Sequence, residues 1–117
     1  MKVAGLGFRR GTTVESLRSA LALVAGVEAL ATAEDKAGEP GLQALVAETG
    51  LPLRAVPQVM LAAQNVEGSA RVKALYGTGS VAEASALAAA GPGARLLVPK
   101  LAGPDGKAVV ALAESAT

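Results

Sequence analysis

The apolar positions of this chain switch between the short runs of strands and the three-to-four spacing of helices. Met1 to Gly7 is a brief apolar run, with Val3, Ala4 and Leu6 ahead of the glycines, and predicts a buried strand. Thr12 and Glu15 have the spacing of a capping box, in which hydroxyl and carboxylate each satisfy an orphan backbone donor at a helix start. Val14, Leu17, Leu21 and Val24 then recur on one helical face, and Gly26 is placed to end that helix. VEALATA from Val27 predicts a second buried strand, broken by EDKAGEPG. Pro40 suits a helix start because its missing N–H costs nothing there; Leu42, Leu45 and Val46 form the stripe, and Gly50 ends it. LPLRAVP predicts a third strand, followed by a short helix from Gln58 to Ala63.

In the second half, Ser69 is read as the cap of a helix carrying Val72, Leu75 and Tyr76 and closed by Gly77. Ser80 and Glu83 make another capping box, opening an alanine-rich helix to Ala90. GPG is a turn, RLLVP a buried strand, and GPDG (Gly103 to Gly106) turns the chain into KAVVALA, antiparallel to its predecessor. Strands alternating with helices predict an α/β fold. The expectation is a single three-layer α/β/α domain over residues 1–117, with a mostly parallel, mixed sheet ending in a C-terminal hairpin.

Composition narrows the chemistry. The 117 residues contain no cysteine and no histidine, which removes thiolate nucleophiles, imidazole bases and the usual zinc and haem ligands. Any metal site would be all-oxygen, and the expectation is no metal and no cofactor. A net charge of +1 and 2% aromatic residues argue against nucleic acid and against an anionic membrane surface as partners. The longest mostly apolar run, Ala20 to Ala33, contains Glu28 and falls short of a bilayer span, and no targeting segment is visible, so a cytoplasmic location is expected.

In such a sheet the strand-to-helix loops gather at the carboxyl edge, where open α/β folds bind ligands. The first loop offers Gly7, Arg9, Arg10 and Gly11; the second offers Thr32, Glu34, Asp35, Lys36 and Glu39. Gly77, Thr78, Gly79 and Ser80 open a helix, and Lys100 ends a strand that would reach the same edge if parallel. Helix N-termini and arginine forks together favour anions, either a polycarboxylate or a pyrophosphate. A dinucleotide site is disfavoured: Gly5, Gly7 and Gly11 are spaced one residue too widely, and bulky Phe8 stands among them. Each segment also has a plain structural reading, as solvated charge, polar turn or helix start. Their convergence is what points to a site.

Four of these stretches carry a family resemblance: GLGFRRG from Gly5, TAEDKAGEPGL from Thr32, GTGSVAEASAL from Gly77 and LLVPK ending at Lys100. In this order and spacing the chain resembles CobE and the homologous C-terminal domain of CbiG, a family of cobalamin biosynthesis. The resemblance implies an α/β domain that holds or acts on a precorrin or cobalt-precorrin intermediate, with other cobalamin-pathway enzymes as further partners. Arg9, Arg10, Lys36 and Lys100 would pair with the macrocycle's acetate and propionate arms, and the Gly77–Ser80 turn would supply backbone donors. Phe8 stands where the family commonly has cysteine, which argues against covalent chemistry at that position. Binding is the leading expectation. The rival is an enzyme, since CbiG opens a δ-lactone on the ring; Glu39, ahead of Glu34 and Asp35, would then be the general base, with Lys36 or an arginine facing the oxyanion. A third reading is an adaptor docking through an exposed face of the Val81–Ala90 helix.

Overall fold

The computed structural model describes residues 1–64 and 80–116. Its elements are β1 (Lys2–Phe8), α1 (Val14–Leu21), β2 (Ala29–Ala33), a single 3-10 turn (Glu34–Lys36), α2 (Pro40–Thr49), β3 (Leu53–Val56), α3 (Gln58–Ala62), α4 (Val81–Ala90), β4 (Arg95–Ala102) and β5 (Ala108–Glu114). The helix expected from Ser69 to Gly77, with the Gly77, Thr78 and Gly79 site positions, lies outside the described residues.

Five strands form one mixed sheet in the order β3-β2-β1-β5-β4. β1 pairs parallel with β2, and β2 with β3, while β5 runs antiparallel to both β1 and β4. β4 is therefore parallel to β1, although it belongs to the C-terminal hairpin. Alternate residues of the central strands feed two separate cores, as the pleat requires. Ala4, Leu6, Leu30, Val110 and Leu112 pack with Leu17 and Ala20 of α1 and Leu42 and Leu45 of α2. Val3, Ala29, Ala31, Ala33 and Val56 pack on the opposite face with Leu61 of α3 and Ala84 of α4. The result is the three-layer α/β/α arrangement with a terminal hairpin that the periodicity predicts.

Small residues set how closely the second layer sits. A Cβ on Gly5 would fall 2.0 Å from the Ala82 carbonyl oxygen and 2.8 Å from the Ala86 nitrogen. The bare backbone of β1 thus accepts the bare side of α4, where Ala82, Glu83, Ala84, Ser85 and Ala86 are all buried. This corrects the expectation of an exposed docking face on the first half of that helix: its small side chains are spent on the molecule's own sheet.

Other corrections are local. Thr13, not Thr12, caps α1 by accepting from the Ser16 N–H, because the Thr12 hydroxyl donates to the Arg9 carbonyl at 2.7 Å. α1 stops at Leu21, short of Val24, and Gly26 lies further along the loop at φ +73°. Ser80 caps α4 by accepting from the Glu83 N–H at 3.2 Å, but the Glu83 carboxylate does not return the bond and is engaged elsewhere. Lys100 lies inside β4 rather than after it. The turn from β4 to β5 is anchored to α1: the Ser16 hydroxyl donates to Asp105 Oδ2 at 2.5 Å, and the Lys107 N–H donates to Oδ1 at 2.9 Å.

Two outcomes follow from these contacts. Gly5→Ala should destabilise the protein by more than about 2 kcal/mol in urea unfolding, since backbone must move to admit the methyl. Gly38→Ala, which meets nothing within 4 Å, should stay within about 0.5 kcal/mol of the parent. The Ser16 hydroxyl and then the Lys107 N–H hold the Asp105 carboxyl below the ordinary aspartate range. A depressed folded-state value means that this contribution is full above the unfolded value and is lost as pH falls through the folded one. Ser16→Ala should therefore move the Asp105 titration upward towards the ordinary aspartate range, read by carboxyl-carbon NMR, and shrink the stability lost at low pH.

Candidate functional site at the carboxyl edge of the sheet

The loops after β1 and β2 meet because their strands are parallel neighbours, with Gly5 opposite Ala31. The start of α4 joins them: Val81 and Ala82 lie over Gly7. Its far end is at the opposite edge, where Ala89 accepts a hydrogen bond from Arg54, near the beginning of β3. Three of the four polar segments singled out in the sequence thus converge at one rim, through Arg9 to Gly11, Thr32 to Glu39, and Ser80.

The glycine turn after β1 does hold a carboxylate, and it belongs to the chain itself. Glu39 Oε1 accepts from the Gly11 N–H at 2.8 Å, while Oε2 lies 3.4 Å from Arg10 Nη1. Arg10 also reaches Asp35 at 3.8 Å. Gly11 has φ +83°, a conformation that favours glycine and turns its N–H towards Glu39. From the same side, the Lys36 ammonium donates to the Phe8 carbonyl at 3.1 Å, closing the end of β1. Packing enforces the same geometry: a Cβ on Gly41 would fall 2.2 Å from the Thr12 carbonyl oxygen, so the first turn of α2 rests directly on the loop.

The side chains expected at the site therefore divide by what they already touch. Thr32 is buried and donates its hydroxyl to the Leu6 carbonyl at 2.8 Å, inside the β1–β2 pairing. Arg10, Lys36 and Glu39 build the frame of the loop. The Glu39 side chain is 17% exposed against 62% for Arg10, so the carboxylate lies inward and the guanidinium outward. Arg9 is exposed and makes no ion pair among the described residues. Lys100, also exposed and without an ion pair among them, stands two strands from β1, about 10 Å away by ordinary strand spacing. The rim is not uniformly basic, because Glu34, Asp35 and Glu39 stand among its cations. Among the described residues, the rim positions that are exposed and without an ion pair include Arg9 and Lys100.

Sequence reading missed one participant. Glu83 is 8% exposed, and its Oε2 accepts from the Lys100 N–H at 3.0 Å, tying α4 to β4. Its spacing from Ser80 points to a helix cap, and no local signal pairs it with a strand residue seventeen positions on. Among the described residues no group of acidic side chains is arranged to hold a metal ion, and no helix is long and apolar enough to cross a membrane.

Comparison with known proteins agrees with this architecture. The family described as cobalamin synthesis G C-terminus matches residues 2–113. The crystal structure of CobE, a protein from the cobalamin (vitamin B12) biosynthetic pathway, is similar over 100% of this chain and 95% of its own, at 33% identity and TM-score 0.87. The cobalamin biosynthesis protein chiG from Agrobacterium tumefaciens is similar over the full length of both chains, at 35% identity and TM-score 0.77. A cobalamin biosynthesis protein G homolog from Sulfolobus solfataricus shares the fold at 19% identity and TM-score 0.72, this chain matching 36% of its length. No curated relative matches the sequence. With its sequence matched nearly end to end and its fold shared, the chain belongs to the CobE/CbiG C-terminal family of cobalamin biosynthesis proteins.

Proposed function

We propose that this protein binds a precorrin-type tetrapyrrole at the carboxyl edge of its sheet, pairing the carboxylate arms of the macrocycle with cations of the rim. The observation that carries the reading is the division of labour around the glycine turn. Glu39 and Lys36 hold the loop in shape, and Arg9 is exposed and makes no ion pair among the described residues. A guanidinium presented on a braced loop loses little freedom when it pairs with a ligand carboxylate, which favours binding. Family membership in cobalamin biosynthesis supports this ligand class, since intermediates of corrin-ring construction carry several acetate and propionate arms. Arg10 contributes from the outer side of its pair with Glu39, and Lys100 meets an arm further along the ring.

The position of Glu39 speaks for this reading over a hydrolytic one. A general base must turn a lone pair towards the proton it takes. Each Glu39 oxygen keeps a further lone pair, but one is held by a backbone N–H and the other by a guanidinium of its own loop, which is the arrangement of a clamp.

Titration of the protein with a precorrin-type tetrapyrrole, followed by absorbance, tests the proposal. Saturable binding is expected, weakening as salt is raised because the contacts are between exposed charges. Arg9→Ala should weaken it about fivefold with an unchanged melting temperature. Glu39→Ala should both weaken binding and destabilise the fold by about 1–2 kcal/mol, because the Gly11 N–H loses its acceptor. Absence of binding, or equal binding by Arg9→Ala, would overturn the rim model. Conversion of a lactone-bearing intermediate, lost in Glu39→Gln, would replace it with the hydrolytic reading.

A further inference from the structure

The strand that carries Lys100 is irregular twice: Leu97 is an extra residue between Leu96, opposite Ala113, and Val98, opposite Leu112, and a second irregularity lies at Lys100. Val98 pairs with Leu112 and Leu101 with Val110, so Pro99 and Lys100 together stand opposite the single residue Ala111. One extra residue in one strand of an antiparallel pair is a β-bulge, a device that re-aims side chains. Leu112 and Val110 belong to the core under α1 and α2, so Ala111, between them, faces α4. Lys100 shares that face. With the irregularity at Leu97 kept and the second one removed, it would follow Val98, which packs against the α1 and α2 core, and would lie on the opposite side of the sheet.

Bulging leaves a backbone donor outside the strand ladder, and that donor needs a partner. The Lys100 N–H finds one in Glu83 Oε2 at 3.0 Å, on the first turn of α4. Glu83 is 8% exposed, and among the described residues neither it nor the Lys100 ammonium makes an ion pair. The carboxylate therefore fixes the backbone at Lys100 without neutralising its side chain. A buried carboxylate committed to one backbone N–H is costly unless the geometry it fixes is worth holding.

We propose that Glu83 is the positioning residue for Lys100: it pins the bulge in β4 so that the ammonium is presented on the α4 side of the sheet, where it takes a ligand carboxylate. This rests on the reading of the rim as a polycarboxylate site and assigns that site a residue acting through another.

The test uses the full chain and uroporphyrin, a porphyrin with eight carboxylates, in absorbance titrations of the parent, Lys100→Ala, Glu83→Gln, Glu83→Ala, Glu83→Asp and the double variant Glu83→Ala/Lys100→Ala. Lys100→Ala and Glu83→Ala should each weaken binding about fivefold. Glu83→Gln keeps an acceptor oxygen at the same reach and should stay within about twofold of the parent. In the Lys100→Ala background, Glu83→Ala should add nothing further, because the residue it positions is gone. If Glu83→Ala does not fold, Glu83→Asp decides: one methylene shorter, it cannot reach the Lys100 N–H and should match Lys100→Ala. Additive losses in the double variant, parent-like binding by Lys100→Ala or by folded Glu83→Ala, or equal failure of Glu83→Gln and Glu83→Ala would overturn this inference and leave the rim reading standing. Failure of the parent protein to bind would overturn both.

Discussion

The arrangement depends on one missing side chain. Gly5, in the central strand, lets α4 approach until helix backbone and strand backbone are nearly in contact. A Cβ there would meet the Ala82 carbonyl, and the helix would have to ride outward. Two consequences follow for function. The start of α4 is drawn over Gly7 at the carboxyl edge, and Glu83 is brought within reach of the bulge at Lys100. Gly41 plays the matching part on the other face, seating the first turn of α2 against the loop at Thr12. Close approach is thus used on both sides of the sheet, where larger residues would have supplied ordinary packing.

The same economy explains the charged residues of the rim. A loop carrying adjacent arginines would be mobile if every charge were solvated. Here Glu39 gathers the Gly11 N–H and the Arg10 guanidinium, Lys36 closes the end of β1, and Thr12 returns its hydroxyl to Arg9. Intramolecular pairs at an exposed surface contribute little stability singly. Their effect is on shape, holding one exposed arginine in a defined place. That suits the proposed binding of a polycarboxylate by a protein lacking histidine and cysteine, for which charge, backbone donors and geometry would be the means of recognition.

Much of the fold was legible in the sequence because its signals are local. Pro40 and Gly50 bracket α2 where expected, and the GPDG turn announces the hairpin. Reading was less accurate where two residues compete for one role. Thr12 and Thr13 both offer a hydroxyl at the start of α1, and the choice was made by a carbonyl, that of Arg9, which becomes available to Thr12 only once the loop is folded. Of the site, the converging loops could be read from the alternation of strands and helices, which gathers strand-to-helix loops at one edge, but the pairing state of each charge could not. Arg9 and Arg10 are neighbours of the same type, and only three-dimensional contact with Glu39 and Asp35 separates their roles. Glu83 and Lys100 are joined through a bulge, which has no reliable local signature here beyond Pro99.

The central claim is that an anionic tetrapyrrole sits at the carboxyl edge, and backbone amide shift mapping by NMR addresses it most directly. Uroporphyrin would be titrated into isotope-labelled protein and the perturbed amides located on the fold. The account predicts perturbations concentrated on Arg9 to Gly11, Thr32 to Glu39, the start of α4 and the bulge at Lys100. Perturbations confined to the opposite edge, around Arg54 and the end of α4, or no perturbation at saturating porphyrin, would contradict it.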